Sequence, residues 1–213
     1  MLHSSSNLPM PTRRLAACGL ALALLLPLPL PATTVEAPEF KELVGLSDYV
    51  VRGVVTAISP EWRETADGRR YIATRVEVSV LDVIRGTPPA KLVLEVLGGR
   101  VGEDELVVEG APRFLVGDES VFFVRGNGRI FFPLVGLMHG LYPILHDFKD
   151  GQDYVLKSNG MPLYRAEDVS LPMDRLSAAK ASDPAARPMT VDAFIRQVRR
   201  SSFIRPTSPA VEN

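Results

Sequence analysis

The chain has 213 residues, with 24 Lys+Arg against 25 Asp+Glu, and it is 46% hydrophobic and 23% charged. This composition excludes a collagen-like, disulfide-rich or wholly disordered chain, and the length fits one globular domain with additional segments. A net charge of −1 leaves no electrostatic footprint for nucleic acid.

Residues 1–37 read as a signal peptide. Arg13 and Arg14 precede an apolar stretch from Leu15 to Leu26, and Pro27, Pro29 and Pro31 then end any helix. The stretch is shorter than the roughly 20 apolar residues of a membrane span. Ala32 and Ala37 are the candidate cleavage points, and Pro38 disfavours the second. Leu15-Ala16-Ala17-Cys18 is spelled like a lipobox, but it opens the apolar stretch instead of following it. Cys18 is the only cysteine, so the mature chain has no means of forming a disulfide, a thiolate metal site or a cysteine nucleophile. The expectation is an exported protein, periplasmic or extracellular, with no transmembrane span in the mature chain.

Pro38 to Leu46 predicts a short helix with Phe40, Leu43 and Val44 on one face. Tyr49 to Ile58 is a β-rich run, and Ser59 to Arg69, which contains Trp62, reads as a polar loop with a turn at Asp67-Gly68. Tyr71 to Ile84 is the clearest strand, with Ile72, Thr74, Val76, Val78 and Val80 on one face. Beyond Val80 the phase passes to Leu81 and Val83, which predicts a β-bulge that bends the strand to serve two sheets. Lys91 to Leu97 is the next strand, with Leu92, Leu94 and Val96 inward.

Gly98-Gly99-Arg100-Val101-Gly102 follows, then an apolar run at Leu106 to Val108 and a loop from Gly110 to Gly117. Ser120–Arg125 and Arg129–Val135 flank Gly126-Asn127-Gly128 and predict a hairpin. Leu141–His146 and Tyr154–Lys157 flank Asp150-Gly151 and predict a second. The pattern dissolves from residue 165 to 189, a linker or wrapping segment. Thr190 then caps a helix to about Ser202, with Val191, Phe194, Ile195 and Val198 inward and a frayed tail, 203–213, after it.

Many short strands, one long bent strand and tight turns predict a mainly β domain over 38–164. Its expected form is a small antiparallel Greek-key, OB-like barrel with a short N-terminal and a C-terminal helix. A two-sheet sandwich is the alternative. The segments SDYVVRGVV, TRVEVSVLDVIRG, LEVLGGRVG, GAPRFLVGDESVFFV and GLMHGLYPI, spread from Ser47 to Ile144, resemble a family of uncharacterised exported bacterial proteins. The resemblance implies an OB-like fold similar to netrin-like and tissue-inhibitor-of-metalloproteinase-like domains, and an association with exported matrixin-type metalloproteases. A tissue-inhibitor-like domain chelates its target's zinc through an N-terminal cysteine, which the mature chain lacks, so that chemistry does not carry over.

The residues give no catalytic signature. The glycine-rich run at Gly98–Gly102 offers backbone N–H groups and Arg100 to an anion, but it lacks the lysine and following helix of a P-loop. A tight loop leaving a strand explains it better. His139 and His146, with Asp147, Asp150 and Asp153, match no zinc or calcium pattern. No G-x-S-x-G occurs. Glu103 and Glu105 read as a solvated face, and Phe122, Phe123, Phe131 and Phe132 as core. Basic residues outnumber acidic ones from Arg175 to Asn213, as suits an amphipathic helix or a contact to an anionic surface.

The expectation is therefore a non-catalytic exported module that needs no cofactor or metal and binds a protein partner, with an exported metalloprotease as first candidate. Trp62, Arg100 and His139 are its candidate contact residues. An enzyme with a site around His139 and a structural, envelope-associated protein are the alternatives.

Overall fold

The computed structural model describes residues 36–202, so the expected signal peptide lies almost wholly outside the described residues, as does the tail from 203. The fold is mainly β. Helix α1 (Phe40–Leu46) leads into β1 (Tyr49–Glu64), β2 (Arg70–Arg85) and β3 (Leu92–Leu97). The small hairpin β4 (Gly99–Val101) and β5 (Asp104–Leu106) follows. Then come β6 (Glu119–Val124), a 3-10 turn (Leu137–Gly140), β7 (Leu141–Asp147) and β8 (Gln152–Val155). A second 3-10 turn (Ala166–Ser170), α2 (Ala178–Ser182) and α3 (Val191–Ser202) complete the chain. Six strands form one antiparallel sheet in the order β3-β2-β1-β6-β7-β8. Among the described residues no helix is long and apolar enough to cross a membrane.

The alternation of side chains along each strand divides the core between the two faces of this sheet. Val50, Val121, Phe123, Tyr142, Ile144 and Val155 face one way and are covered by α1 and α3 through Phe40, Leu43, Phe194 and Val198. Phe194 sits among the rings of Phe40, Phe123 and Tyr142 at 5.9, 6.0 and 5.2 Å. Val51, Val76, Leu94, Val96, Phe122 and Val124 face the other way, with Phe114 and Phe132 packed against them. The amphipathic stripe predicted for α3 is the buried one, and Thr190 Oγ1 accepts from the Ala193 N–H as its cap.

The polar run from Ser59 is not a loop, because β1 continues through Trp62 and Pro60 to Glu64 in unbroken register with β2. Pairing to β6 ends at Val54, so this half of β1 has a free edge on which proline is tolerated. Pro60, Trp62 and Glu64 are exposed along it, and between them the partly buried Arg63 pairs with Glu61 and Glu95. The turn that remains spans Thr65 to Arg69, closed by the Gly68 N–H to the Thr65 carbonyl at 2.9 Å.

The β1–β2 register slips at three places and leaves Thr56, Leu81 and Ile84 without an opposite residue. The bulge expected near Val80 is at Leu81, yet both halves of β2 stay in one sheet. Leu81 and Val83 do not turn inward; they are 56% and 46% exposed, and Ile84 is buried instead. Opposite the bulge, a Cβ on Gly53 would lie 2.6 Å from Val78 Cγ1 and 2.8 Å from the Ser79 carbonyl, so the two strands close on a residue without a side chain.

The hairpin predicted across Gly126-Asn127-Gly128 does not form. Only a neck of it exists, with the Arg125 N–H on the Pro133 carbonyl at 3.2 Å and the Val135 N–H on the Phe123 carbonyl at 3.0 Å. Pro133 has no N–H to offer, and the residues between swing away to the edge of β3, where the Leu97 N–H meets the Phe131 carbonyl at 3.0 Å. The second hairpin, β7 to β8, forms around Asp150-Gly151.

Candidate binding surface

The loop from Gly126 to Phe132 is the most distinctive surface. It follows β6, whose β1 and β7 neighbours fix where it starts. The Arg129 and Ile130 N–H groups both turn back on the Gly126 carbonyl, at 2.8 and 3.1 Å. On one flank Asp48, just before β1, accepts from the Gly126 N–H at 2.8 Å and from Arg129 Nη2 at 3.0 Å. On the other, Asn127 Nδ2 donates to the Val93 carbonyl of β3 at 2.9 Å and to the Tyr49 hydroxyl at 3.2 Å. Burial raises the pKa of the Tyr49 phenol above its ordinary value.

This anchoring leaves Ile130 and Phe131 about half exposed, at 48% and 50%. Phe131 stands edge-on to Tyr71, with ring centres 5.3 Å apart. Grooves lie on both sides of the Arg129-Ile130 ridge. The smaller, about 230 Å³, runs against β3 past Tyr71, Glu95 and Leu97. The larger, about 580 Å³, lies between Arg125, Phe132, Leu134 and Leu137, with Asp48 at its edge. Leu137 is the one described residue other than glycine with a left-handed backbone, at φ +57°.

The three residues singled out in the sequence are not brought together. Trp62 is on β1, 37% exposed, with the Arg70 guanidinium 4.3 Å over its ring. Arg100 is on β4, exposed and paired with Glu105 at 2.8 Å. His139 is in the 3-10 turn before β7 and only 4% exposed. The glycine run does what a tight turn needs, since Gly98 and Gly99 have φ +106° and +132°. A shallow apolar groove of about 190 Å³ lies beside it, next to Ile58 and Phe114.

His146 and Asp153 face each other across the β7–β8 hairpin at 2.7 Å. Glu119 and Arg52 complete a ring with them: His146 Nε2 is 3.3 Å from Glu119, Arg52 Nη2 is 3.4 Å from Asp153, and Arg52 Nε binds Glu119. These are the next positions along the helix-covered face on four adjacent strands, so the ring borders that core. Among the described residues no three His, Cys, Asp or Glu side chains are arranged to hold a metal ion. Asp150 is a turn residue, accepting from the Tyr154 hydroxyl at 2.5 Å and the Gln152 N–H at 3.0 Å. The Tyr154 bond is the main cause that holds its carboxyl below the usual range.

Sequence reasoning missed the Gly126–Phe132 loop, because two adjacent phenylalanines after a glycine turn look like a strand. Arg125, Arg129 and Leu137 carried no motif. Set against models of known protein families and against curated proteins, the chain matches none of them.

Proposed function

We propose that this chain is an exported, non-catalytic binding module with an OB-like Greek-key barrel, and that it engages a protein partner through the Gly126–Phe132 loop. The observation that carries the reading is the loop itself, with two neighbouring apolar side chains half exposed on a backbone tied down on both flanks. Burying a large apolar side chain is worth about 1.5–3 kcal/mol. A loop already held in one shape loses little entropy on binding, so more of that gain appears as affinity. Arg129 beside them supplies a residue type enriched at binding hot spots.

The architectural part of the proposal rests on strand order and one contact. The chain returns after β3 to set β6 beside β1, the arrangement of a Greek key. The Leu97–Phe131 bond then ties the loop that follows β6 to β3. Export rests on the signal sequence, and an exported metalloprotease is the first partner to test on the family resemblance alone.

The test is affinity capture from the exported fraction with the chain from Pro38, beside a variant carrying Ile130→Ser and Phe131→Ser. A stoichiometric partner held by the parent and lost by the variant, with melting temperature unchanged, is the expected result. A partner held equally by both ends the loop reading.

A further inference from the structure

We infer that the larger groove beside this loop takes an acidic, partly apolar peptide segment of the partner, with a carboxylate set on Arg125. The inference rests on the loop reading and adds the chemistry of what is bound. The groove's volume of about 580 Å³ falls within the span of roughly 300–1,000 Å³ usual for ligand sites. Ile130, Phe132, Leu134 and Leu137 form its apolar part, and its charges are Asp48, Arg125 and Arg129.

Those charges are not equivalent. Asp48 and Arg129 neutralise each other at 3.0 Å, and Asp48 also holds the Gly126 N–H. The Arg125 guanidinium has no ion pair or hydrogen bond among the described residues. The groove therefore mixes apolar and polar walls and holds one cation unpaired among the described residues. A guanidinium fork fits a carboxylate with two parallel hydrogen bonds.

Leu137 supplies the second observation. A left-handed residue costs least as glycine or asparagine, and a leucine there is strained by about 1–3 kcal/mol. Packing against the core does not require it, since Leu137 is only partly buried and lines the groove. The strained backbone places Leu137 in the groove wall beside Phe132 and Leu134. An open trough with one cation and partly apolar sides suits an extended segment in which an acidic residue neighbours a large apolar one.

The experiment pans a random eight-residue phage library on the purified protein, in parallel on Arg125→Glu and Leu137→Asn, all three first shown folded by circular dichroism. The expected sequences carry Asp or Glu next to Leu, Ile or Phe. A synthetic consensus peptide should bind the parent, bind Arg125→Glu at least about tenfold more weakly, and recover when its acid is changed to Lys. Leu137→Asn should weaken binding while leaving the acidic preference intact.

Enrichment without an acidic bias, no enrichment, or equal binding to Arg125→Glu overturns the inference. So does displacement of the peptide by free decanoate at equal affinity, which would assign the groove to a small amphiphile. A dimer in sedimentation that Arg125→Glu dissolves would assign it to a second copy and equally overturns it. The failures separate: capture lost by Phe131→Ser alone, at a residue outside this groove, without an acidic bias in the library sinks only the groove, whereas capture held equally by that variant sinks the loop reading and the groove with it.

Discussion

Phe122-Phe123 and Phe131-Phe132 are the same dipeptide on two sides of one turn, and they meet opposite fates. The first pair lies in β6, between β1 and β7, with both rings fully buried, Phe122 in one core and Phe123 in the other. The second pair lies on the loop that leaves β6, where Phe132 reaches the core and Phe131 is half exposed. Both pairs have the same hydrophobicity. What differs is the backbone: β6 is hydrogen-bonded on both edges, whereas Pro133 interrupts the ladder that would have held Phe131 and Phe132 in a strand. The hydrogen-bonding partners of the main chain decide which rings stay in water, and the exposed one becomes available for recognition.

The strongest way to break this comparison is Phe123→Ala. It removes a ring packed between Tyr142 and Phe194, at 5.5 and 6.0 Å, and should cost about 3–5 kcal/mol in urea unfolding. A loss below about 1 kcal/mol would mean that the ladder does not fix the core as argued. Gly53→Ala strikes the ladder from the opposite strand. Its new methyl would press on Val78 and the Ser79 carbonyl, for an expected loss of about 1–3 kcal/mol in the same assay.

Phe131→Ala sharpens the contrast from the loop side. Its stability cost should stay below about 1 kcal/mol, since half the ring is already in water, while partner affinity should fall by about tenfold or more. Equal losses of stability at Phe123 and Phe131 would erase the distinction.

The smallest effect is confined to alkaline solution. Burial raises the Tyr142 phenol pKa above its ordinary value of about 10. The folded state therefore keeps a proton that the unfolded state releases, and the contribution is complete below pH ~10 and lost as pH rises further. Tyr142→Phe should leave stability near pH 7 almost unchanged and flatten its decline above pH ~10, read as melting temperature against pH. An unchanged alkaline slope would place the cause elsewhere.

Much of the fold was legible in short-range pattern. The alternation from Ile72 to Val78 marks β2, and Val191, Phe194, Ile195 and Val198 mark α3, because one period fits each element. The bulge at Leu81 announced itself as a slip of phase, although which side chains then faced water did not. The polar end of β1 was illegible, because a ladder binds main chain to main chain whatever the side chains are. The ring of Arg52, Glu119, His146 and Asp153 draws on four strands, and only its His146–Asp153 edge lies within one hairpin. The loop anchors, Asp48 and Val93, are distant in sequence from Gly126, so nothing local pointed to them. The exposure of Phe131 follows from contacts of that range.

The division of the core between two faces also has a consequence in time. The face built around Val51, Leu94 and Phe122 draws its buried residues from Tyr49 to Leu141. The opposite face needs both ends of the described chain at once, because Phe40 of α1 and Phe194 of α3 share it with rings 5.9 Å apart. A chain appearing from its N-terminus can complete the first set while α3 is still unmade, and the second set must wait for nearly the last turn of helix. Until then α1 and the α1-facing side of the sheet stand uncovered. Whatever receives the growing chain therefore meets a half-finished sheet with one dressed side and one bare one.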